Sequence, residues 1–223
     1  MPKGKMIAMT MSDGKPVAVY HVTPYGVRKG GLVVIQEIFG ITGHIKDVCD
    51  SYSAEGYEVM APALFDREAP GLDIGADEMA KGVELAYKHH PFELSVADAM
   101  TCLHELKKNG LVFAVGYCYG GSVTWALACK SAELAAASSY YGKMAPDMAD
   151  QKPRCPTICH FGKADTSIPL EAVERMQKAR PETKIYLYDA GHGFNSPRPT
   201  HHNAEAARLA RDRTLEFFRA NGG

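Results

Sequence analysis

The sequence of 223 residues lacks an excess of charge of either sign. It has 25 Lys and Arg residues against 26 Asp and Glu residues, so its formal net charge is −1. Such a balance supplies no overall field that would attract a phosphate backbone or an anionic membrane surface. We therefore expect no nucleic-acid partner.

The sequence also lacks a long hydrophobic run. Its longest runs, Leu32–Ile35 and Leu111–Val115, have the length of strands. They are much shorter than the roughly 18 apolar residues of a membrane-spanning helix. The first residues contain no hydrophobic region of the kind found in secretory signals. We therefore expect no membrane association and a cytoplasmic location.

The sequence also lacks the loop-rich surroundings of a disulfide-stabilised framework. There are six cysteines, most of them in apolar or helical surroundings, and we interpret them as thiols. Hydrophobic residues make up 46% and charged residues 23% of the chain, which is the ordinary mixture of a globular protein. Because no repeat or low-complexity linker divides the sequence, we expect residues 1–223 to form a single domain.

What the sequence does contain is an alternation of strand and helix patterns. Residues 6–24 alternate around a turn at 12–15, which predicts a β-hairpin at a sheet edge. The apolar run from Leu32 suits a strand covered on both faces, as in a parallel sheet. Further strands are predicted at 57–60, 111–115, 135–140, 156–161 and 184–188, helices at 43–55, 77–89, 92–108, 120–130, 169–180 and 202–220, and a long surface connection at 61–76.

This alternation predicts an α/β fold, a doubly wound and mostly parallel sheet with an N-terminal β-hairpin and helices on both faces. In sheets of this kind, ligands bind outside the carboxyl ends of the strands. Functional residues are therefore expected in the loops that follow the strands.

The segment GYCYGG at 116–121 joins a predicted strand to a predicted helix. It matches the nucleophile elbow of α/β-hydrolases with Cys118 in the serine position. Glycines permit the close backbone approach of this turn, and a helix N-terminus favours a thiolate. The alternative is a buried cysteine in a glycine-rich turn.

A thiol nucleophile needs a base and a residue that orients the base. In α/β-hydrolases the chain order is nucleophile, acid, histidine, and here Asp165 and then His192 follow two later strands. Taken separately, Asp165 could be an Asx-turn or helix-cap residue and His192 an ordinary loop histidine. For the oxyanion hole, the expected backbone donors are the amides of Tyr119 and Ile38.

Four segments of the sequence resemble the dienelactone hydrolases: QEIFG at 36–40, GYCYGG at 116–121, YYG at 140–142 and AGH at 190–192. This resemblance spans nearly the whole chain. It implies a Cys118, Asp165 and His192 triad, a contact of Glu37 with the thiol, and no cofactor. The structural alternative for Glu37 is an ion pair or a cap of the helix near Gly43.

The best-known members hold a dienelactone carboxylate with two arginines. Val83 and Ser196 stand where this resemblance implies those arginines, so we expect weaker activity on an anionic lactone than on neutral esters or lactones. The cations that could substitute are listed here as candidate substrate-binding residues: Arg67, Lys81 and Arg198.

Other chemistries lack their motifs. His104-Glu105 has no second histidine at the spacing of a zinc protease, and no phosphate-binding glycine loop is present, so we expect no metal and no nucleotide. The leading hypothesis is a cysteine hydrolase of esters or lactones that is monomeric or a small homo-oligomer. The alternatives are a general short-acyl esterase or thioesterase, and a non-catalytic thiol sensor that uses Cys118.

Overall fold

A computed structural model describes residues 2–197 and 201–223 of the chain. The strands are β1 (Lys5–Thr10), β2 (Pro16–Val22), β3 (Gly30–Ile35), β4 (Tyr57–Pro62), β5 (Val112–Tyr117), β6 (Ala136–Tyr140), β7 (Thr157–Gly162) and β8 (Lys184–Tyr188). They form an eight-stranded, mostly parallel sheet in the order β1-β2-β4-β3-β5-β6-β7-β8. The predicted α/β class and the N-terminal hairpin are therefore confirmed.

In the part of the chain that the structure describes, six α-helices accompany the strands. They are α1 (Gly43–Ala54), α2 (Met79–Glu84), α3 (Phe92–Lys107), α4 (Tyr119–Lys130), α5 (Leu170–Ala179) and α6 (Ala204–Ala220). Short 3-10 turns occupy Ala76–Glu78 and Pro146–Met148, and a π turn occupies Leu85–His89. Among the helices of the described residues, none is long and apolar enough to cross a membrane.

The chain divides into two compact units, Met1–Ala114 and Val115–Gly223. The expectation of one domain over residues 1–223 stays a prediction. In the first unit β1 pairs antiparallel with β2, β2 antiparallel with β4, and β3 parallel with β4. The hairpin turn contains Gly14 at a φ of 79°, a left-handed conformation that glycine adopts at little cost. Every residue of β3 is buried, as its continuous apolar run predicts.

Two predictions in the first unit need correction. Residues 61–76 do not form a surface connection throughout, since Leu64 is fully buried and its amide donates to Gln36 Oε1 over 3.2 Å. The prediction gave more weight to the prolines and glycines of this segment than to the apolar residues at its start. The helix predicted over 77–89 is divided into a 3-10 turn, a short α-helix and a π turn.

In the second unit β6, β7 and β8 are parallel to one another. A buried polar network surrounds His160, a residue of β7. His160 Nδ1 lies 2.7 Å from the Tyr188 hydroxyl, and its Nε2 lies 3.2 Å from both Ser138 Oγ and Thr214 Oγ1. The imidazole also stacks on the Tyr186 ring at 5.4 Å between centroids. Every hydrogen-bonding atom of this buried ring therefore has a partner, as low-dielectric surroundings require.

Candidate active site

Cys118 lies in a sharp turn between β5 and α4. Its φ of 55° and ψ of −115° are an uncommon conformation for a residue with a side chain, and its amide donates to the Tyr140 carbonyl over 3.0 Å. A Cβ atom on Gly116 would lie 2.1 Å from the Gly120 carbonyl oxygen, so the turn needs glycine there. Tyr119 begins α4, and its amide is therefore at the positive end of the helix dipole.

His192 follows β8, in the loop between that strand and α6. Its Nε2 atom lies 3.1 Å from Cys118 Sγ, and its Nδ1 atom lies 2.7 Å from Asp165 Oδ2. The ring of Tyr141 contacts the imidazole edge-on at 5.3 Å between centroids. The second unit thus brings three of the sequence-predicted residues into one continuous chain of hydrogen bonds.

Asp165 follows β7 and has a buried side chain. Its Oδ1 atom accepts from the Ser167 amide over 2.9 Å and from the Ser167 hydroxyl over 2.6 Å. The bond from the Ser167 amide to the Asp165 side chain forms an Asx-turn. Asp165 therefore has the turn role considered for it and also contacts His192. Ser167 and Tyr141 are site residues that the sequence prediction missed. The Asp-x-Ser spacing at 165–167 could have indicated the contact of Ser167 with Asp165. The contact of Tyr141 with His192 depends on where the tyrosine ring lies, which the sequence does not indicate.

The electrostatic surroundings of His192 favour its charged imidazolium form. Burial alone would lower the pKa of His192, but hydrogen bonds with Asp165 and Cys118 outweigh it and raise the pKa to about 10. For Asp165, burial opposes ionisation, whereas its bonds with His192 and Ser167 lower its pKa below the ordinary value. At neutral pH, the site can therefore hold an imidazolium opposite the sulfur, an arrangement that stabilises a thiolate.

Glu37 and Ile38 belong to the first unit, directly after β3. Both are buried, and the side-chain Nε2 of Gln36 donates to the Glu37 backbone carbonyl over 3.1 Å. Thr42 is the N-cap of α1, and its side chain accepts from the Ile45 amide over 3.4 Å. The roles predicted for Glu37 and Ile38 toward the thiol, and for the Tyr119 amide, stay predictions.

Arg67 is bound to two carboxylates. Its guanidinium bonds with both oxygens of Asp98 over 2.6 and 2.8 Å, and with both oxygens of Asp13 over 2.9 and 3.1 Å. Its side chain is 6% exposed and that of Asp98 is fully buried. Four of the five N–H donors of an arginine are thus used in structural contacts. This arrangement favours a stabilising role for Arg67 over the predicted substrate contact.

The other predicted cations differ in their surroundings. Lys81 has an exposed side chain that pairs with Glu78 over 3.2 Å. Arg198 lies outside the described residues. Of the two positions at which the resemblance implies arginines, Val83 is exposed and Ser196 is buried. Within residues 2–197 and 201–223, no group of three or more His, Cys, Asp or Glu side chains has the arrangement of a metal site.

Comparison with known proteins identifies the family of this chain. The model of the dienelactone hydrolase family matches residues 17–222. The chain belongs to this family. A protein of Salmonella typhimurium (strain LT2), provisionally named a carboxymethylenebutenolidase, is 34% identical over 235 residues, which cover 95% of this chain and 86% of the relative. The carboxymethylenebutenolidase of Pseudomonas putida is 29% identical over 225 residues, with coverages of 95% and 94%.

A solved structure supports the same assignment of the fold. The crystal structure of a Klebsiella pneumoniae protein, provisionally described as a dienelactone hydrolase, has a TM-score of 0.87 and 26% sequence identity. It covers 98% of this chain, and this chain covers 99% of it. This dienelactone hydrolase family member is thus a hydrolase with the α/β-hydrolase fold.

Proposed function

We propose that the protein hydrolyses carboxylic esters or lactones through an acyl-enzyme formed on Cys118, with His192 as proton carrier and Asp165 as its orienting partner. The observation that carries this proposal is the hydrogen-bond chain from Cys118 Sγ to His192 Nε2 at 3.1 Å and from Nδ1 to Asp165 Oδ2 at 2.7 Å. These separations are within the range required for direct proton transfer between nucleophile and base.

The acylation step begins with the Cys118 thiolate opposite the His192 imidazolium. The sulfur attacks the carbonyl carbon, a C–S bond forms, and the carbonyl π electrons move onto oxygen. When this oxyanion collapses, the ester C–O bond breaks and the imidazolium gives its Nε2 proton to the leaving alkoxide. The products of this step are an alcohol, or the opened lactone, and a thioester on Cys118.

In deacylation, His192 is neutral and takes a proton from water through Nε2. The resulting hydroxide attacks the thioester carbon, and collapse of the second oxyanion expels the Cys118 thiolate. The carboxylic acid product leaves, and the thiolate and imidazolium are restored. Asp165 stays ionised throughout and accepts a hydrogen bond from His192 Nδ1, which keeps Nε2 directed toward the sulfur.

The backbone amides of Tyr119 and Ile38 are proposed as oxyanion donors. Tyr119 has support in its position at the first residue of α4, and Ile38 in the family resemblance of the segment QEIFG. For Glu37, the same resemblance supports a role as a carboxylate that restrains the Cys118 thiol in the free enzyme. Substrate that moves Glu37 would then release the thiolate with which acylation begins. None of these roles requires a metal or an organic cofactor.

The proposed substrates are neutral esters or lactones of small acyl groups, with anionic lactones as poorer substrates. Val83 is 42% exposed and offers an apolar surface where the resemblance implies a cation. Arg67 is held by Asp13 and Asp98, so the proposal assigns it no substrate contact. The six free thiols agree with a reducing compartment such as the cytoplasm.

The test of this proposal compares turnover by the wild type and by Cys118→Ala. The substrates are matched neutral and anionic lactones, activated short-acyl esters and thioesters. We expect hydrolysis by the wild type, strongest on neutral esters or lactones, and none above background by Cys118→Ala. A folded Cys118→Ala protein that keeps wild-type turnover would refute the cysteine mechanism. Peroxide-dependent modification of Cys118 without any ester turnover would instead favour the thiol-sensor alternative.

A further inference from the structure

The carboxylate of Asp165 accepts hydrogen bonds at both of its oxygens. His192 uses Oδ2, whereas Ser167 uses Oδ1 twice, through its amide at 2.9 Å and its hydroxyl at 2.6 Å. The Asp165 side chain has no exposed surface, so bulk water does not substitute for these donors. The orientation of the carboxylate therefore depends on His192 at one oxygen and on Ser167 at the other.

The Ser167 hydroxyl also contacts the histidine. Its oxygen lies 3.1 Å from His192 Nδ1, in addition to its 2.6 Å bond with Asp165 Oδ1. A hydroxyl has one proton and two lone pairs. Because its proton is donated to Asp165, its lone pairs are available to the Nδ1 proton, which has Asp165 Oδ2 as its nearer acceptor at 2.7 Å.

The two contacts of Ser167 differ in what a substitution removes. The amide bond belongs to the backbone turn after β7 and survives any change of side chain. The hydroxyl alone contacts both Asp165 and His192. Its loss leaves Asp165 Oδ1 with only the amide bond and removes the second acceptor of the His192 Nδ1 proton. Hydrogen bonds to ionised groups are stronger than those between neutral groups.

We propose that Ser167 is a positioning residue whose hydroxyl keeps Asp165 and His192 aligned so that Nε2 points at Cys118 Sγ. It acts through these two residues and takes no part in the covalent steps. This inference rests on the proposed function, since alignment of Nε2 matters for turnover only if the sulfur is the nucleophile. Ser167 thereby joins the triad as a residue that the sequence did not predict.

The expected effect of Ser167→Ala is a roughly 10-fold fall in kcat, the scale of one hydrogen bond to a charged group whose backbone companion remains. KM for a neutral ester should not change, because substrate binding is not affected. The acid limb of the rate profile should move to higher pH. The hydroxyl bond is one of the contacts that lower the pKa of Asp165, so without it the carboxylate is protonated, and the imidazolium loses its partner, at a higher pH.

The experiment measures kcat and KM for p-nitrophenyl acetate between about pH 3 and pH 9 with full-length proteins, so that the ordinary pKa of an aspartate, about 4, lies inside the range. Ser167→Ala is compared with Ser167→Thr, which keeps the hydroxyl, and with Thr166→Ala, which removes a hydroxyl from the exposed neighbouring residue. Thermal unfolding of each variant verifies its fold. If Ser167→Ala does not fold, Ser167→Cys takes its place, because a thiol is a weak donor of similar size.

The inference predicts a lower kcat and a displaced acid limb for Ser167→Ala, recovery in Ser167→Thr, and wild-type behaviour in Thr166→Ala. An unchanged kcat and profile for Ser167→Ala would overturn it, as would an equal loss in Thr166→Ala or no recovery in Ser167→Thr. Cys118→Ala is measured alongside. Turnover by that variant would refute the proposed function itself, whereas an inactive Cys118→Ala with a fully active Ser167→Ala would refute only the role of Ser167.

Discussion

His160 should make the protein less stable in acid, by an amount that follows from its burial. The ring is fully buried, with its nitrogens bonded to Tyr188, Ser138 and Thr214. Burial, with a smaller contribution from the nearby charge of Arg213, lowers the pKa of His160 from 6.5 to about 3. Between these values the unfolded chain binds a proton at this residue and the native protein does not, so stability falls as the pH falls.

The size of this effect follows from the two pKa values. At pH 5 the unfolded imidazole is almost entirely protonated and the native one is not, which costs roughly 2 kcal/mol of unfolding free energy relative to pH 7.5. The cost grows as the pH approaches 3 and is absent above about pH 7.5, where both states are neutral. Because the ring is inaccessible to water in the native state, solvent screening does not reduce this contribution.

Urea unfolding of the wild type and His160→Gln at pH 7.5 and pH 5 measures the effect. The glutamine side chain can hydrogen-bond but does not titrate, so the variant should lose roughly 2 kcal/mol less stability between the two pH values, whatever its stability at pH 7.5. His89→Gln, at an exposed histidine, should lose as much as the wild type. Equal losses in the wild type and His160→Gln would refute the argument that buried His160 is neutral.

Three further substitutions have distinct expected outcomes. His192→Ala should lower kcat by roughly 10² or more, the scale of a positioned general base, and a folded variant with near-wild-type rates would remove His192 from the mechanism. Arg67→Ala should reduce the free energy of unfolding by about 3 to 5 kcal/mol, because it leaves buried Asp98 without its cation, while KM for a neutral ester stays unchanged; an unaltered urea midpoint would contradict this. Glu37→Gln should react faster with iodoacetamide near neutral pH and hydrolyse esters more slowly, if the carboxylate restrains the thiol as the resemblance implies; identical alkylation profiles with full turnover would make Glu37 structural.

The main features of the fold could be predicted from the sequence because they follow from local patterns. The strand at Leu32–Ile35 is a continuous apolar run, and the hairpin turn contains Gly14 where the backbone needs a positive φ. The segment 77–89 shows the limit of this approach. Its amphipathic spacing is compatible with one regular helix, whereas the chain forms three short helical pieces whose hydrogen-bond spacing differs.

The candidate site could be predicted where chemistry follows the ends of strands. Cys118, Asp165 and His192 each follow a strand in the order of an α/β-hydrolase, and the structure brings them within hydrogen-bonding distance. The ion pairs of Arg67 could not be predicted, because Asp13 and Asp98 are both distant from it in sequence. Its substrate contact stays a prediction. Ser167 was missed because its role depends on the rotamer that directs its hydroxyl toward Asp165.

The central claim is that Cys118 carries the acyl group. The most direct test is rapid acid quenching of the wild type during turnover of a slowly hydrolysed activated ester, followed by mass spectrometry of the intact protein and of its peptides. The account predicts a transient mass increase equal to the acyl group minus one hydrogen, located on the peptide that contains Cys118 and absent in Cys118→Ala. Steady turnover with no adduct in the wild type and an equal rate in Cys118→Ala would contradict it.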